Sequence, residues 1–111
     1  MTHDEIFKLN DNELKSEIIK KIGWFYRPDF FDPTKNISDA FRIIEKFEEM
    51  GYGVFTTNRY SHSPEIPQLQ YGVSLVKRSI NVVGYGKTLP LAICRAALLA
   101  VQSASPTHYL P

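Results

Sequence analysis

Gly86, Lys87 and Thr88 lie between a stretch typical of a β-strand and a stretch typical of an α-helix. In this order they end the phosphate-binding loop pattern, in which backbone amides, an ammonium group and a hydroxyl surround phosphate. The complete pattern requires a glycine five residues before Gly86, and Asn81 stands there. The loop is therefore too short for a triphosphate. These residues predict a simpler anion site at a helix start and argue against a nucleotide hydrolase.

Arg95 is the only charged residue in the helix predicted over Thr88–Gln102. At 100° per residue it shares a line with Thr88 and Gln102, between leucines. Two acceptors stay open for its guanidinium: a carboxylate or carbonyl of the helix predicted over Ile37–Met50, or a phosphate of a ligand. The opposite face is small and apolar, as is suited to a sheet: Ile93, Ala96, Ala97 and Ala100. A helix apolar on two sides needs a second partner, from this chain or from another copy.

Aromatic residues are the other candidates for a ligand site. Tyr85 precedes the glycine turn, and Trp24, Tyr26 and Arg27 belong to a segment rich in aromatics and interrupted by two prolines. The prolines exclude a regular helix there. Two interpretations stay open for its rings: they pack on the core, or they form a wall for a nucleotide base.

The charge of the chain is unevenly distributed. Of its 111 residues, the first 65 carry nine basic and twelve acidic side chains, whereas residues 66–111 carry four basic side chains and no acidic one. Four cations suffice to hold a small anion. They are few for a nucleic-acid footprint, which needs a dense basic face.

Other classes of function lack the residues they would need. The single cysteine, Cys94, allows no internal disulfide, and His3, His62 and His108 are not at metal-ligand spacing from it. No serine stands in a nucleophile elbow. We expect no metal, no cofactor and no catalytic residue, and hence not an enzyme. The acidic N-terminus and the absence of a long apolar run predict a cytoplasmic protein.

Hydrophobic periodicity predicts one α+β domain over residues 1–111. Capping boxes and 3.6-residue patterns predict helices, and two-residue alternation predicts strands. The predicted order is α-α-β-β-β-α, with a three-stranded antiparallel meander sheet packed against helices. The predicted helices are one turn through Lys8, a helix to about Ile22, and helices over Ile37–Met50 and Thr88–Gln102. The predicted strands lie over 52–59, around 69–75 and over 79–84, with a hairpin turn at Lys77-Arg78. A tail is predicted over 103–111. In the Ile37–Met50 helix the predicted core stripe is Ile37, Ala40, Phe41, Ile44 and Phe47.

The last five elements resemble the double-stranded RNA-binding domain. The match lies in Gly86-Lys87-Thr88 and in Ala96-Ala97-Leu98. The phosphate-gripping lysines of that domain are replaced by Leu89-Pro90-Leu91. The resemblance therefore implies the topology, and at most a degenerate RNA binder.

A second resemblance covers nearly the whole chain. Its motifs are Ile22-Gly23-Trp24, Phe31-Asp32-Pro33 leading to residues 36–46, and the helix from Pro90 to Leu98. With these the chain resembles small phage proteins with the phage ABA sandwich domain and the related prophage NinX-like proteins.

That resemblance implies a function. Similar folds include the anti-defence sponges of phages, which oligomerise and sequester cyclic ADP-ribose-type signals or cyclic oligonucleotides without cleaving them. Arg95, Lys87, Thr88, Tyr85, Gly86 and the aromatic segment with Trp24, Tyr26 and Arg27 become the ligand-binding candidates. The expected partners are a cyclic nucleotide and other copies of the chain in the infected cell. The alternative is an interaction module for a host protein, which would dock on the second apolar face of the last helix or on the aromatic segment.

Overall fold

The computed structural model describes residues 2–22, 31–60 and 69–103. Four helices and three strands follow one another in the order α-α-α-β-β-β-α, which confirms the predicted α+β class. Their bounds are α1 His3–Lys8, α2 Asp11–Lys21, α3 Ile37–Glu49, β1 Gly53–Tyr60, β2 Leu69–Lys77, β3 Ile80–Gly86 and α4 Leu89–Ser103. The predicted tail lies outside the described residues from position 104 onward, and so does the loop over 61–68.

The first two helices begin at the predicted capping boxes. Thr2 accepts a hydrogen bond from the Glu5 amide while the Glu5 carboxylate accepts one from the Thr2 amide. Asn10 and Glu13 repeat this exchange at the start of α2. Each box satisfies two amides that a helix start leaves unpaired. The predicted α2 stripe is buried as expected: Leu14, Ile18 and Ile22.

Helix α3 buries three of the five predicted stripe residues, Ala40, Ile44 and Phe47, and exposes the other two. Asn36 caps it as expected, by accepting from the amides of Ser38 and Asp39. The buried residues are Ala40, Ile43, Ile44 and Phe47. Ile37 is 39% exposed and Phe41 is 45% exposed, so their assignment to the core was wrong. The helix packs on α4 and β1, and Ile43 takes the place that the prediction gave to Phe41.

The three strands form an antiparallel sheet in the order β1-β2-β3. Lys77 pairs with Ile80, so the hairpin turn consists of Arg78 and Ser79, one residue later than predicted. Arg78 adopts φ 55, the left-handed conformation that a tight two-residue turn needs. Pairing continues to Gly86 opposite Tyr71, which makes the last strand start one residue later and end two residues later than predicted.

Helix α4 lies between the sheet and the other helices. On one side it packs on β3 and β2, where Gly84 permits close contact: a Cβ there would stand 2.5 Å from the carbonyl oxygen of Ala92. On its other sides it contacts α1, α2 and α3. The second apolar face of α4 is therefore covered by this chain's own helices. The second partner that this face needs is therefore supplied by the chain itself, one of the two alternatives that the sequence left open.

No helix among the described residues is long and apolar enough to cross a membrane.

Candidate functional site

The Arg95 side chain reaches from α4 to the end of β3. Its Nη1 donates a hydrogen bond of 2.8 Å to the carbonyl oxygen of Tyr85. The protein acceptor is thus a main-chain carbonyl of β3, and the predicted acceptor on α3 was wrong. Gly86 makes this approach possible, because a Cβ at that position would lie 3.1 Å from Nη1.

The surroundings of the Arg95 guanidinium are partly apolar. Its Cζ lies 5.5 Å from the ring centroid of Phe7 in α1, a cation–π geometry. Burial lowers the pKa of Arg95, and the negative charge of Asp11 at the start of α2 opposes that shift. The carbonyl of Tyr85 in β3 and the ring of Phe7 in α1 thus lie near this guanidinium, and the charge of Asp11 in α2 acts on it.

One donor of Arg95 has no acceptor. Nε is buried, and it makes no hydrogen bond within the described part of the chain. In a guanidinium, Nε and Nη2 form one side, which is separate from the Nη1 that donates to Tyr85. That side presents two parallel N–H groups, the arrangement that binds carboxylate or phosphate bidentately.

The start of α4 is a poorer anion site than the sequence indicates. Pro90 has no amide hydrogen, and the Thr88 hydroxyl accepts from the Leu91 amide at 3.4 Å. The Ala92 amide donates to the Thr88 carbonyl. Few amides are left for an anion, since the first-turn donors are absent or occupied. Lys87 and Thr88 are both exposed beside this start and can supply an ammonium and a hydroxyl.

The structure separates the side chain of Tyr85 from Arg95. Gly84 faces α4, and because side chains alternate along a strand, Tyr85 points to the opposite, outer face of the sheet. The Tyr85 ring is 46% exposed there. Arg95 therefore contacts the main chain of Tyr85 and not its ring. A ligand that touches both would have to reach around the free edge of β3.

The four cations of the C-terminal part do not form one patch. Lys77 lies over the ring of Tyr52 at 5.4 Å, and Arg78 occupies the hairpin turn. Lys87 and Arg95 lie at the other end of β3, a strand of seven residues or about 20 Å. Among the described residues, the four cations are thus divided between the two ends of β3 and do not form a continuous basic face.

Three predicted ligand residues, Trp24, Tyr26 and Arg27, lie outside the described residues, as does His62. Cys94 is buried, and its Sγ donates a hydrogen bond to the carbonyl of Pro33. Within the parts of the chain that the structure covers, no three His, Cys, Asp or Glu side chains gather into a metal site.

The motif around Phe31-Asp32-Pro33 serves the fold. The Asp32 carboxylate accepts from the amide and hydroxyl of Thr34, which is buried, and the Asp32 amide donates to the carboxylate of Asp39 in α3. Together with the Cys94 bond to Pro33, this turn ties the start of α3 to α4. The residues missed by sequence reasoning are Phe7 and Asp11, for which the only signal was their place in the first two helices.

Comparison with known families gives one result. Residues 3–98 match the model of the phage ABA sandwich domain. The chain therefore belongs to the phage ABA sandwich domain family and is a phage protein with an α+β fold. The searches of curated proteins and of solved structures found no match.

Proposed function

We propose that this phage protein binds and sequesters a cyclic nucleotide immune signal, of the cyclic ADP-ribose or cyclic oligonucleotide type, without cleaving it. We further propose that it acts as a homo-oligomer. The observation that carries the proposal is the buried Nε of Arg95 without an acceptor, beside an Nη1 already fixed by the Tyr85 carbonyl. Buried donors are nearly always paired, so an unpaired one in a partly apolar site favours a bound acceptor.

The chemistry of the site suits a phosphate. The Nε–Nη2 side of a guanidinium can bind two oxygens, and the Phe7 ring centroid lies 5.5 Å from the Arg95 Cζ. Lys87, one residue beyond the strand, can add a second positive charge. Two cations match the two charges of a cyclic dinucleotide or of a pyrophosphate bridge.

Sequestration fits this site better than hydrolysis. A guanidinium donates protons in hydrogen bonds but does not accept one near neutral pH, so Arg95 has no means to act as a general base. The Asp11 charge stabilises the guanidinium in its charged form. We therefore expect a bound ligand to be released intact.

The test is retention followed by release. The protein is incubated with cyclic ADP-ribose isomers and with cyclic di- and trinucleotides, filtered, denatured by heat, and the filtrate is analysed by mass spectrometry. We expect one ligand class to be retained and to be recovered unchanged. A cleaved product would instead indicate an enzyme, and no retention of any of these anions would refute the proposal.

A lysine variant tests whether the site needs the guanidinium group itself or only its positive charge. Arg95→Lys keeps the charge and loses the two-pronged donor, so we expect at least a tenfold loss of retention, a difference of about 1.4 kcal/mol. Arg42→Met is the matched control, because it removes one arginine from the exposed side of α3. Equal retention by the Arg95→Lys variant and the wild type would contradict a bidentate site.

A second candidate is an interaction module for a host protein, favoured by one observation. Ile37 and Phe41 are one helical turn apart on α3, and both are exposed. Apolar residues at this spacing can enter a groove of a partner. Phe41→Ser should then abolish the biological effect while leaving ligand retention unchanged. Under the sequestration proposal, Arg95→Lys should weaken both retention and the biological effect, and Phe41→Ser should change neither.

A further inference from the structure

The β3 strand lies at an edge of the sheet, and its register shows which groups face outward. The two-residue turn makes Lys77 and Ile80 a hydrogen-bonded pair. Hydrogen-bonded pairs alternate along an antiparallel ladder, so Val82, Gly84 and Gly86 also bond to β2. The amides and carbonyls of Asn81, Val83 and Tyr85 therefore point away from the sheet.

The Arg95 contact agrees with this register. Nη1 could reach the Tyr85 carbonyl from α4 only because that oxygen points away from β2. Among the described residues, no main-chain bond outside the sheet involves Asn81, Val83 or Tyr85. A carbonyl oxygen has two lone pairs, so Tyr85 can accept from Arg95 and still accept from a neighbouring strand.

The residues of β3 themselves give this edge none of the usual protection against pairing. Edge strands are commonly blocked by lysines, prolines or bulges. The strand reads Ile-Asn-Val-Val-Gly-Tyr-Gly, with no charged residue and no proline, and its pairing with β2 runs without interruption from Ile80 to Gly86. An uncharged edge of this kind is a template for another strand.

We propose that two copies of this chain pair through their β3 edges as antiparallel strands, with a two-fold axis at Val83. Val83 then faces Val83 of the second copy, and Asn81 faces Tyr85 of the second copy. These three facing pairs exchange about six main-chain hydrogen bonds and join the two sheets into one of six strands. The partner of the proposed oligomer is thereby placed at the sheet edge and not on α4.

A second copy fits this edge for two reasons. The outward groups are evenly spaced about Val83, so the strand is complementary to itself in the antiparallel direction, as a two-fold contact requires. The strand carries no charge, so the approach of an identical strand meets no repulsion between like side chains. Arg95 of each copy lies at one end of the junction, beside Asn81 of the second copy.

The mass in solution tests the pairing. We expect the wild type to be a dimer by light scattering after size exclusion over a range of concentrations. Val83→Lys places two ammonium groups opposite each other on the axis and should halve the mass. Val83→Thr keeps the branched shape and the amide and should stay dimeric. Asn12→Lys adds the same charge to the exposed side of α2 and should stay dimeric as well.

Crosslinking tests the register without depending on the lysine variant. Val83→Cys should form a dimer with a short bis-maleimide, because facing residues in a hydrogen-bonded pair are about 5.5 Å apart between Cα atoms. Cys94 is buried and should not compete. A wild type that stays monomeric at all concentrations, a dimeric Val83→Lys variant, or the absence of a Val83→Cys crosslink would overturn the proposal. Ligand retention is measured separately, so a monomer that retains a cyclic nucleotide would refute the pairing and the proposed homo-oligomer but not the proposed sequestration.

Discussion

The Nη1 of Arg95 donates a hydrogen bond of 2.8 Å to the carbonyl of Tyr85, ten residues earlier in the chain. This contact joins the central helix α4 to the free edge of β3 and leaves the Nε of the same side chain buried without an acceptor. A residue used only for stability would be expected to satisfy all its buried donors. The unpaired Nε therefore agrees with the ligand site that we propose at Arg95.

Replacement of Arg95 by methionine separates the structural from the functional role. The variant loses one hydrogen bond from a charged donor but also removes a buried unpaired donor, and each effect is worth about 1 to 3 kcal/mol. We expect the free energy of unfolding to change by less than about 1 kcal/mol, as measured by urea denaturation, while retention of a cyclic nucleotide is lost. A destabilisation of several kcal/mol with retention intact would show that Arg95 is a structural residue.

Gly84 sets the distance between α4 and the sheet. A Cβ at this position would collide with the main chain of Ala96 and lie 2.5 Å from the carbonyl oxygen of Ala92. We expect Gly84→Ala to lower the free energy of unfolding by about 2 kcal/mol or more, because backbone must shift. Gly53→Ala is the matched control: its nearest contact would be 3.4 Å from the Phe55 ring, and thermal unfolding should change little. Equal effects of the two substitutions would contradict the close contact.

Cys94 predicts an alkaline limit to stability. Burial raises the pKa of its thiol, and the charge of Asp32 adds to the shift. The folded chain keeps the thiol proton where the unfolded chain loses it, so this stabilisation is complete below about pH 8.5 and is lost as the pH rises. We expect the free energy of unfolding to fall by up to about 1.4 kcal/mol more per pH unit in the wild type than in Cys94→Ala. If the free energy of unfolding falls equally with pH in the two proteins, the contribution assigned to Cys94 is contradicted.

Thr34 tests whether the Phe31-Asp32-Pro33 motif is structural. The buried Thr34 hydroxyl donates to the Asp32 carboxylate at 2.6 Å. Thr34→Val keeps the shape and removes this bond, so we expect a loss of about 1 to 2 kcal/mol in chemical denaturation. Ligand retention should stay at the wild-type level when the variant is folded. The exposed Ser38→Ala should be nearly neutral, and a loss of retention in folded Thr34→Val would assign the motif to the ligand site instead.

The two phenylalanines of α3 test the helix face that the structure assigns to the core. Phe47 is buried and packs edge-to-face on Tyr52, with ring centroids 5.0 Å apart, whereas Phe41 is exposed. We expect Phe47→Ala to cost about 3 to 5 kcal/mol and Phe41→Ala less than about 1 kcal/mol. Thermal unfolding of both variants measures the difference. Similar losses of stability in the two variants would mean that Phe41 also belongs to the core, as the sequence predicted.

The amino-acid sequence by itself determined the local structure of this protein. The capping residues Thr2, Asn10 and Asn36 and the closing glycine Gly51 set the helix ends, because they satisfy main-chain groups within a few residues. Alternation of Tyr71, Val73 and Leu75 placed the middle strand. The sequence also showed the family motif Phe31-Asp32-Pro33, which forms the turn that is bonded to the start of α3.

Only the tertiary structure decided which faces are covered and what Arg95 touches. Periodicity shows that α4 is apolar on two sides, but it does not say that α1, α2 and α3 supply the second cover. The choice between Ile43 and Phe41 depended on how α3 lies across α4 and β1. The Tyr85 carbonyl became the acceptor of Arg95 because Gly86 lets the guanidinium reach an edge strand, a contact set by long-range packing and strand register rather than by neighbours in the chain.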